Sequence, residues 1–358
     1  MRSPRFGTLL LVLAAMVLAP AVAAVSAPLA PVSAQAACTV EGFTDSPIEI
    51  MAPAAPGGGW DTTAREMQRV MQEEGIAPTV EVYNVEGAGG TVGIAQLVND
   101  EAGNDHQLMM MGLVMIGAIA TNGSPVTLEQ TTPISSLTAE FEVIVVPADS
   151  EYQSLDDLIA AFKANPTAIS WGGGSAGGTD HILVGLIVQA AGVDPTQINY
   201  VPFSGGGEAL AAILGGQVTA GVSGIGEWLD QIESGELRAL AVSGTAGAGG
   251  ATPQAGGATP EASASGSGTA LAPTLQEQGI DVELANWRGV VAPPGISDAG
   301  RDCLIALVEQ TVATDAWAQT RAKYGWQDFA MSGDEFATFL NEERERVTGI
   351  LTELGLIA

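Results

Sequence analysis

At 358 residues, with 46% apolar and 15% charged side chains, the chain is long enough for two globular cores and too apolar to be disordered. A formal net charge of −29 argues against nucleic acid or an anionic membrane surface as a partner. Two cysteines and two histidines, widely spaced, form no metal-ligand pattern, so neither metal nor cofactor is expected.

The chain opens as an export signal does. Arg2 and Arg5 precede an apolar run over 6–19, and small residues follow. Residues 1–36 are expected to be a signal peptide, cleaved after Ala34 or Ala36, which places the protein in the periplasm or on the outer face of the cell membrane. Outside the cytoplasm Cys38 can pair with Cys303. Alternatively, Cys38 carries a lipid anchor and Cys303 is a small buried hydrophobe.

The first strand is expected at Ile48-Glu49-Ile50-Met51, followed by a glycine turn, with Asp61 as the N-cap of a helix carrying Arg65, Met67, Val70 and Met71. A second strand, 80–83, runs into a second glycine turn and the helix 92–98. Strands follow at 108–111 and 142–146, then a helix 155–163 opened by the capping box Ser154 and Asp157. Strand, glycine turn and helix recur at 169–191 and at 198–214. Further strands are expected at 218–222 and 237–242. Residues 244–268 hold nothing aliphatic larger than alanine and repeat Ala-Gly-Gly-Ala-Thr-Pro, so they are expected to be a flexible surface insert. A strand at 287–292 and helices over 297–312 and 333–354 complete the chain. This alternation predicts an α/β protein of two doubly wound domains. Residues 45–143 and 293–358 are expected to form domain 1 and residues 144–292 domain 2, with links at Pro147 and near Pro293 forming a hinge around a cleft.

Two motifs suggest catalysis. Gly173-Gly174-Ser175-Ala176-Gly177 fits the G-x-S-x-G turn of a serine hydrolase, the alternative function. Neither histidine lies well downstream of Ser175, where the triad order needs one. Gly172-x-Gly174-x-x-Gly177 fits a dinucleotide turn, yet no acidic residue ends the next strand. The sequence therefore argues for a binding protein and not an enzyme. Arg65, Arg69 and Arg288 are candidate partners for a ligand carboxylate, and solvated faces are the alternative reading for all three.

The turns together carry a resemblance. Pro56-Gly57-Gly58-Gly59-x-Asp61, Gly87-Ala88-Gly89-Gly90 with Thr91, Gly174-Ser175-x-Gly177-Gly178-Thr179-x-His181, and Ser204-Gly205-Gly206-Gly207 followed by Gly215-Gly216-Gln217 closely resemble the TctC or Bug family of extracytoplasmic receptors. The resemblance implies a type II periplasmic-binding-protein fold, capture of a small di- or tricarboxylate or related acid, and delivery to the membrane permease of a tripartite tricarboxylate transporter, by a monomer. Carried over by position, it places the ligand against Pro56, Gly57, Gly58, Gly59 and Asp61, against Gly87, Gly89, Gly90 and Thr91, and against Ser175, Gly178, Thr179 and Asp180, with Ser204 and Gly205 as a supporting wall. Asp180 departs from the small hydroxyl residue common at that position in the family.

Overall fold

The computed structural model of the chain describes residues 38–244 and 271–357. The expected signal peptide, and all of the expected insert but Gly244, lie outside the described residues. Strands β1 (Ile48–Ala52), β2 (Val80–Asn84) and β3 (Gln107–Gly112) are parallel, and helices α1 (Gly59–Glu73), α2 (Thr91–Asp100) and α3 (Leu113–Asn122) follow them in turn. Helix α1 turns Trp60, Ala64, Met67, Val70 and Met71 inward at helical spacing and leaves its charged face in solvent. Every residue of β3 is buried, including Met109, Met110 and Met111, as befits a central strand covered on both faces.

Strand β4 (Thr132–Pro147) is the backbone of the whole molecule. Its first part pairs with β9 (Ala285–Ala292) and β10 (Gln327–Ser332), and β9 in turn pairs with β3, which completes the first sheet. From Glu142 to Pro147, β4 pairs instead with β7 (Ala220–Gly224) and β8 (Leu237–Val242). Strand β7 leads by parallel pairing to β5 (Ser170–Gly173) and β6 (Asn199–Pro202) in the second sheet. Helices α4 (Leu155–Ala164), α5 (Thr179–Ala190), α6 (Gly206–Leu214) and α7 (Ile225–Glu233) belong to this second part of the chain. Helices α8 (Asp298–Val312), α9 (Asp315–Tyr324) and α10 (Gly333–Glu353) follow β9. A second small core, with Val143, Val145, Ile213 and Trp228, fills the space between β4 and helices α6 and α7.

The chain changes sheets at two places, and neither is an expected link. Pro147 and Pro293 sit at or just beyond strand ends, whereas β4 changes partners between Phe141 and Glu142, and β9 lies wholly in the first sheet. The return crossing therefore falls between β8 and β9, before residue 285. Ser243 joins the two crossings. Its hydroxyl accepts from the Glu142 N–H at 2.9 Å and donates to the Leu284 carbonyl at 2.6 Å, with the side chain fully buried. Cys38 and Cys303 form a disulfide that ties the start of the described chain to α8, so that sulfur cannot also carry a lipid.

Candidate functional site

Four helices begin in the same place. Gly58, Gly178, Gly205 and Gly224 are the N-caps of α1, α5, α6 and α7, none has a side-chain cap, and all four line one cavity of about 400 Å³. A helix start leaves backbone N–H groups unsatisfied and carries a partial positive charge. In three of these turns the third helical residue reaches back to the residue before the cap. The Asp61 carboxylate accepts from Gly57 N–H at 2.8 Å, His181 Nδ1 from Gly177 N–H at 3.1 Å, and the Glu208 carboxylate from Ser204 N–H at 3.0 Å. Asp61 is thus not the N-cap that the sequence suggested. It is a brace, tied also to Arg65 at 2.9 Å and Asn84 at 2.9 Å, and those partners hold its pKa low against the opposing effect of burial.

Of the residues proposed from sequence, Gly58, Gly59, Gly87, Gly89, Ser175, Gly178, Thr179, Asp180, Ser204 and Gly205 line this cavity. Pro56 and Gly57 lie exposed on the outside of the first turn. Gly90 is buried, where a Cβ would press on Met115 and Trp60, and the Thr91 hydroxyl bonds back to Ala88 at 2.9 Å. Ala88, at φ 48, is held in the left-handed region by this contact and by the Asn122 amide at 3.0 Å. The two sides of the site also touch directly. A Cβ on Gly117 of α3 would overlap the Gly177 carbonyl oxygen, and one on Gly89 would sit 3.4 Å from the Ser175 Cβ.

Thr179 is fully buried, and its hydroxyl is 3.3 Å from the Asn286 side-chain oxygen across the two sheets. Both histidine rings are engaged away from Ser175. His181 takes the Gly177 N–H and stacks on Tyr200 at 4.1 Å, while His106 Nε2 lies 2.9 Å from the Phe43 carbonyl. Burial also pushes the His181 pKa down to about 4.

The sequence reading did not single out Phe203, Glu227 or Asn286, which also line the cavity, and it left Arg288 undecided. Glu227 had a signal available. It is the third helical residue of α7, in the place of Asp61, His181 and Glu208, after the same small-glycine pair. Its carboxylate, however, lies against Gly206 at the start of α6. Desolvation, then the charge of Glu140, pushes its pKa up to about 7. Asp180 accepts from Gly174 N–H at 2.5 Å, and desolvation brings it up to about 6. Behind them Glu140 forms a buried ion pair with Arg288, and Glu142 is fully buried with no N–H or O–H donor among the described residues. Burial, followed by the charges of Asp180, Glu140 and Glu227, drives Glu142 well above the usual carboxylate range.

The model of the tripartite tricarboxylate transporter family receptor matches residues 63–255, more than half of the chain. The chain belongs to that family. Among its relatives, the protein BugT of Bordetella pertussis is 28% identical over 335 residues, covering 91% of this chain and 93% of BugT. MatC from Rhodopseudomonas palustris, solved with bound malate, superposes with a TM-score of 0.69 at 21% identity over 85% of this chain and 98% of its own. An R. palustris protein solved with adipate gives 0.72 at 20% identity, over 86% and 97%. These likenesses show the fold. The TctC or Bug resemblance read from the turns stands, and so does the α/β periplasmic-binding-protein architecture.

Proposed function

We propose that this TctC-type receptor captures a small organic carboxylate outside the cytoplasm and hands it to the permease of a tripartite tricarboxylate transporter. The observation that carries the reading is the convergence of four glycine-capped helix starts, from both sheets, on one cavity. Bare helix starts with no Cβ in the way let a carboxylate approach backbone N–H groups closely. Gly58, Gly59, Gly87, Gly89, Ser175, Gly178, Thr179, Ser204 and Gly205 are the proposed contacts, with Asp61 bracing the first turn. The family supports the receptor role, and the malate and adipate held by the two R. palustris proteins support the ligand class. No helix among the described residues is long and apolar enough to cross a membrane. The two sheets act as lobes that close on the ligand by bending where β4 passes between them and where Ser243 meets Leu284.

A thermal-shift screen of carboxylates on the purified protein tests this. A ligand at about 100 times its Kd adds about 2.7 kcal/mol of stability, enough to move the midpoint by several degrees. The reading fails if no carboxylate or amino acid moves it and calorimetry finds no heat.

A further inference from the structure

Four acids gather where β4 changes sheets: Glu140 and Glu142 on the strand itself, Asp180 at the start of α5 and Glu227 at the start of α7. Three of them are engaged. Glu140 holds the Arg288 guanidinium, Asp180 accepts from the Gly174 N–H at 2.5 Å, and Glu227 accepts from the Gly206 backbone. Glu142 is different. Its side chain is wholly buried, and neither of its oxygens meets an N–H or O–H group among the described residues. What it meets, within hydrogen-bonding reach, is the carboxylate of Asp180.

An ionised Glu142 would be a bare charge in the interior, set against a second one. A neutral carboxylic acid has one O–H to donate, and Asp180 is the acceptor at hand. The negative charge of the pair belongs on Asp180, because that carboxylate has the Gly174 N–H and the positive end of α5 to stabilise it. Glu142 has neither.

We propose that Glu142 is a neutral acid that donates its proton to Asp180, and that this proton ties β4, at the first residue past its change of sheets, to the wall of the cavity. The tie is independent of which ligand the cavity takes. The titratable groups facing Glu142 are Glu140 from its own strand, Asp180 from α5, Glu227 from α7 and Arg288 from β9, with Tyr200 of β6 beside Asp180. Burial and the three acids all favour the neutral form of Glu142, and Arg288 opposes them. Strands β5 and β7 bring no titratable side chain. Arg238 of β8 is turned to the carbonyls of Ala148, Ser150 and Tyr152, and Glu208 of α6 to the Ser204 N–H. His181 takes the Gly177 N–H, and the Tyr200 hydroxyl donates to the Gly174 carbonyl at 2.9 Å, so neither reaches Glu142. Loss of the proton would leave two carboxylates face to face, and the start of α5 should then move off β4. Thr179, next to Asp180, meets Asn286 of the other sheet, so that movement would be felt on both sides of the cavity.

Infrared spectroscopy on the purified, ligand-free protein tests the tie, because a neutral carboxylic acid has a carbonyl band clear of those of ionised acids. At pH 8 Asp180 and Glu227 are mostly ionised, yet a neutral-acid band should remain. It should persist in Glu227→Gln and vanish in Glu142→Gln, whose amide still offers Asp180 a donor. Asp180→Asn should shift or abolish the band because the acceptor changes, and this arm decides the matter if Glu142→Gln does not fold. As the pH is raised further, hydrogen exchange of the 174–181 amides, relative to intrinsic rates, should quicken over the interval in which the band is lost. One proton allows up to about tenfold per pH unit. A band kept until the fold itself is lost supports the tie as well, since the proton then leaves only with the structure it holds. The proposal is overturned by the absence of a neutral-acid band at pH 8, by a band that survives in Glu142→Gln, or by one unmoved in Asp180→Asn. Loss of the band without faster exchange would also overturn it.

Discussion

A methyl group on Gly59 would overlap Nη2 of Arg288 and come within 2.9 Å of its Cζ, whereas one on Gly58 would meet only the Ala55 carbonyl oxygen at 3.4 Å and the Ala54 Cβ at 3.9 Å. The sensitive position of the first turn is therefore its second helix-start glycine. Gly59→Ala should push the guanidinium off Glu140 and cost about 1–3 kcal/mol of stability or binding, while Gly58→Ala should be tolerated. Paired melting and calorimetry on the two variants check this, and the reverse order of effects would show that the cap itself makes the closer contact. Asp180 and Glu227 add a pH dependence. Their folded pKa values, about 6 and about 7, lie above the ordinary 3.8 and 4.5, so the folded state binds protons more readily than the unfolded one. The stability they contribute is complete below the ordinary values and is lost as pH rises through 6 and 7. His181 works in the opposite sense, because its depressed pKa favours the fold above 6.5 and ceases to do so as pH falls toward 4. Between pH 8 and pH 6 the acids dominate, and the melting midpoint of the empty protein should rise. Glu227→Gln should flatten that rise, and a variant with the wild-type slope would assign the titration to another group.

Strand β4 was only half legible in the sequence. Residues 142–146 read as a strand because Val143, Ile144, Val145 and Val146 have nothing polar between them. Residues 132–141 did not, because Ser135, Ser136, Thr138 and Glu140 look like a solvated loop, yet all four are buried. The two serine hydroxyls are satisfied from far along the chain. Ser135 donates to the Met331 carbonyl at 3.0 Å and Ser136 to the Phe329 carbonyl at 2.5 Å, both on β10. No local pattern announces such a partner, and β10 itself was not anticipated. The site divides the same way. Its glycine turns are contiguous motifs and were readable, whereas the acidic wall is assembled from β4, α5, α7 and β9 and becomes visible only when the sheets are in place. The crossing between sheets is tied by Ser243, which no local pattern marks out. Ser243→Ala should leave the Glu142 N–H without its acceptor and the Leu284 carbonyl without that donor, at a cost of about 1–3 kcal/mol. Urea melts measure the loss. A variant as stable as wild type would mean that the crossings are held by their backbone pairing alone.

For the molecule as a whole, the disulfide is a long-range tie, with Cys38 and Cys303 separated by 265 positions. Reducing it should lower stability by about 2–5 kcal/mol, and intact mass before and after reduction shows whether the bond is there. Two free thiols in non-reduced protein would refute it. The bond also has a consequence for the segment between Gly244 and Leu271. The base of that segment is closed where Val242 N–H bonds Pro273 at 3.1 Å and Leu275 N–H bonds Val242 at 3.0 Å. Suppose the backbone is cut anywhere in between. One piece then carries Cys38, β3 and β4, and the other carries Cys303 and β9, which lies hydrogen-bonded between β3 and β4. Neither piece can leave. A protease-nicked receptor should run as one band without reductant and two bands with it, and should still take up its ligand. In that sense this is a two-chain protein written as one gene product, its halves held by one covalent bond and by a strand of one laid between two strands of the other.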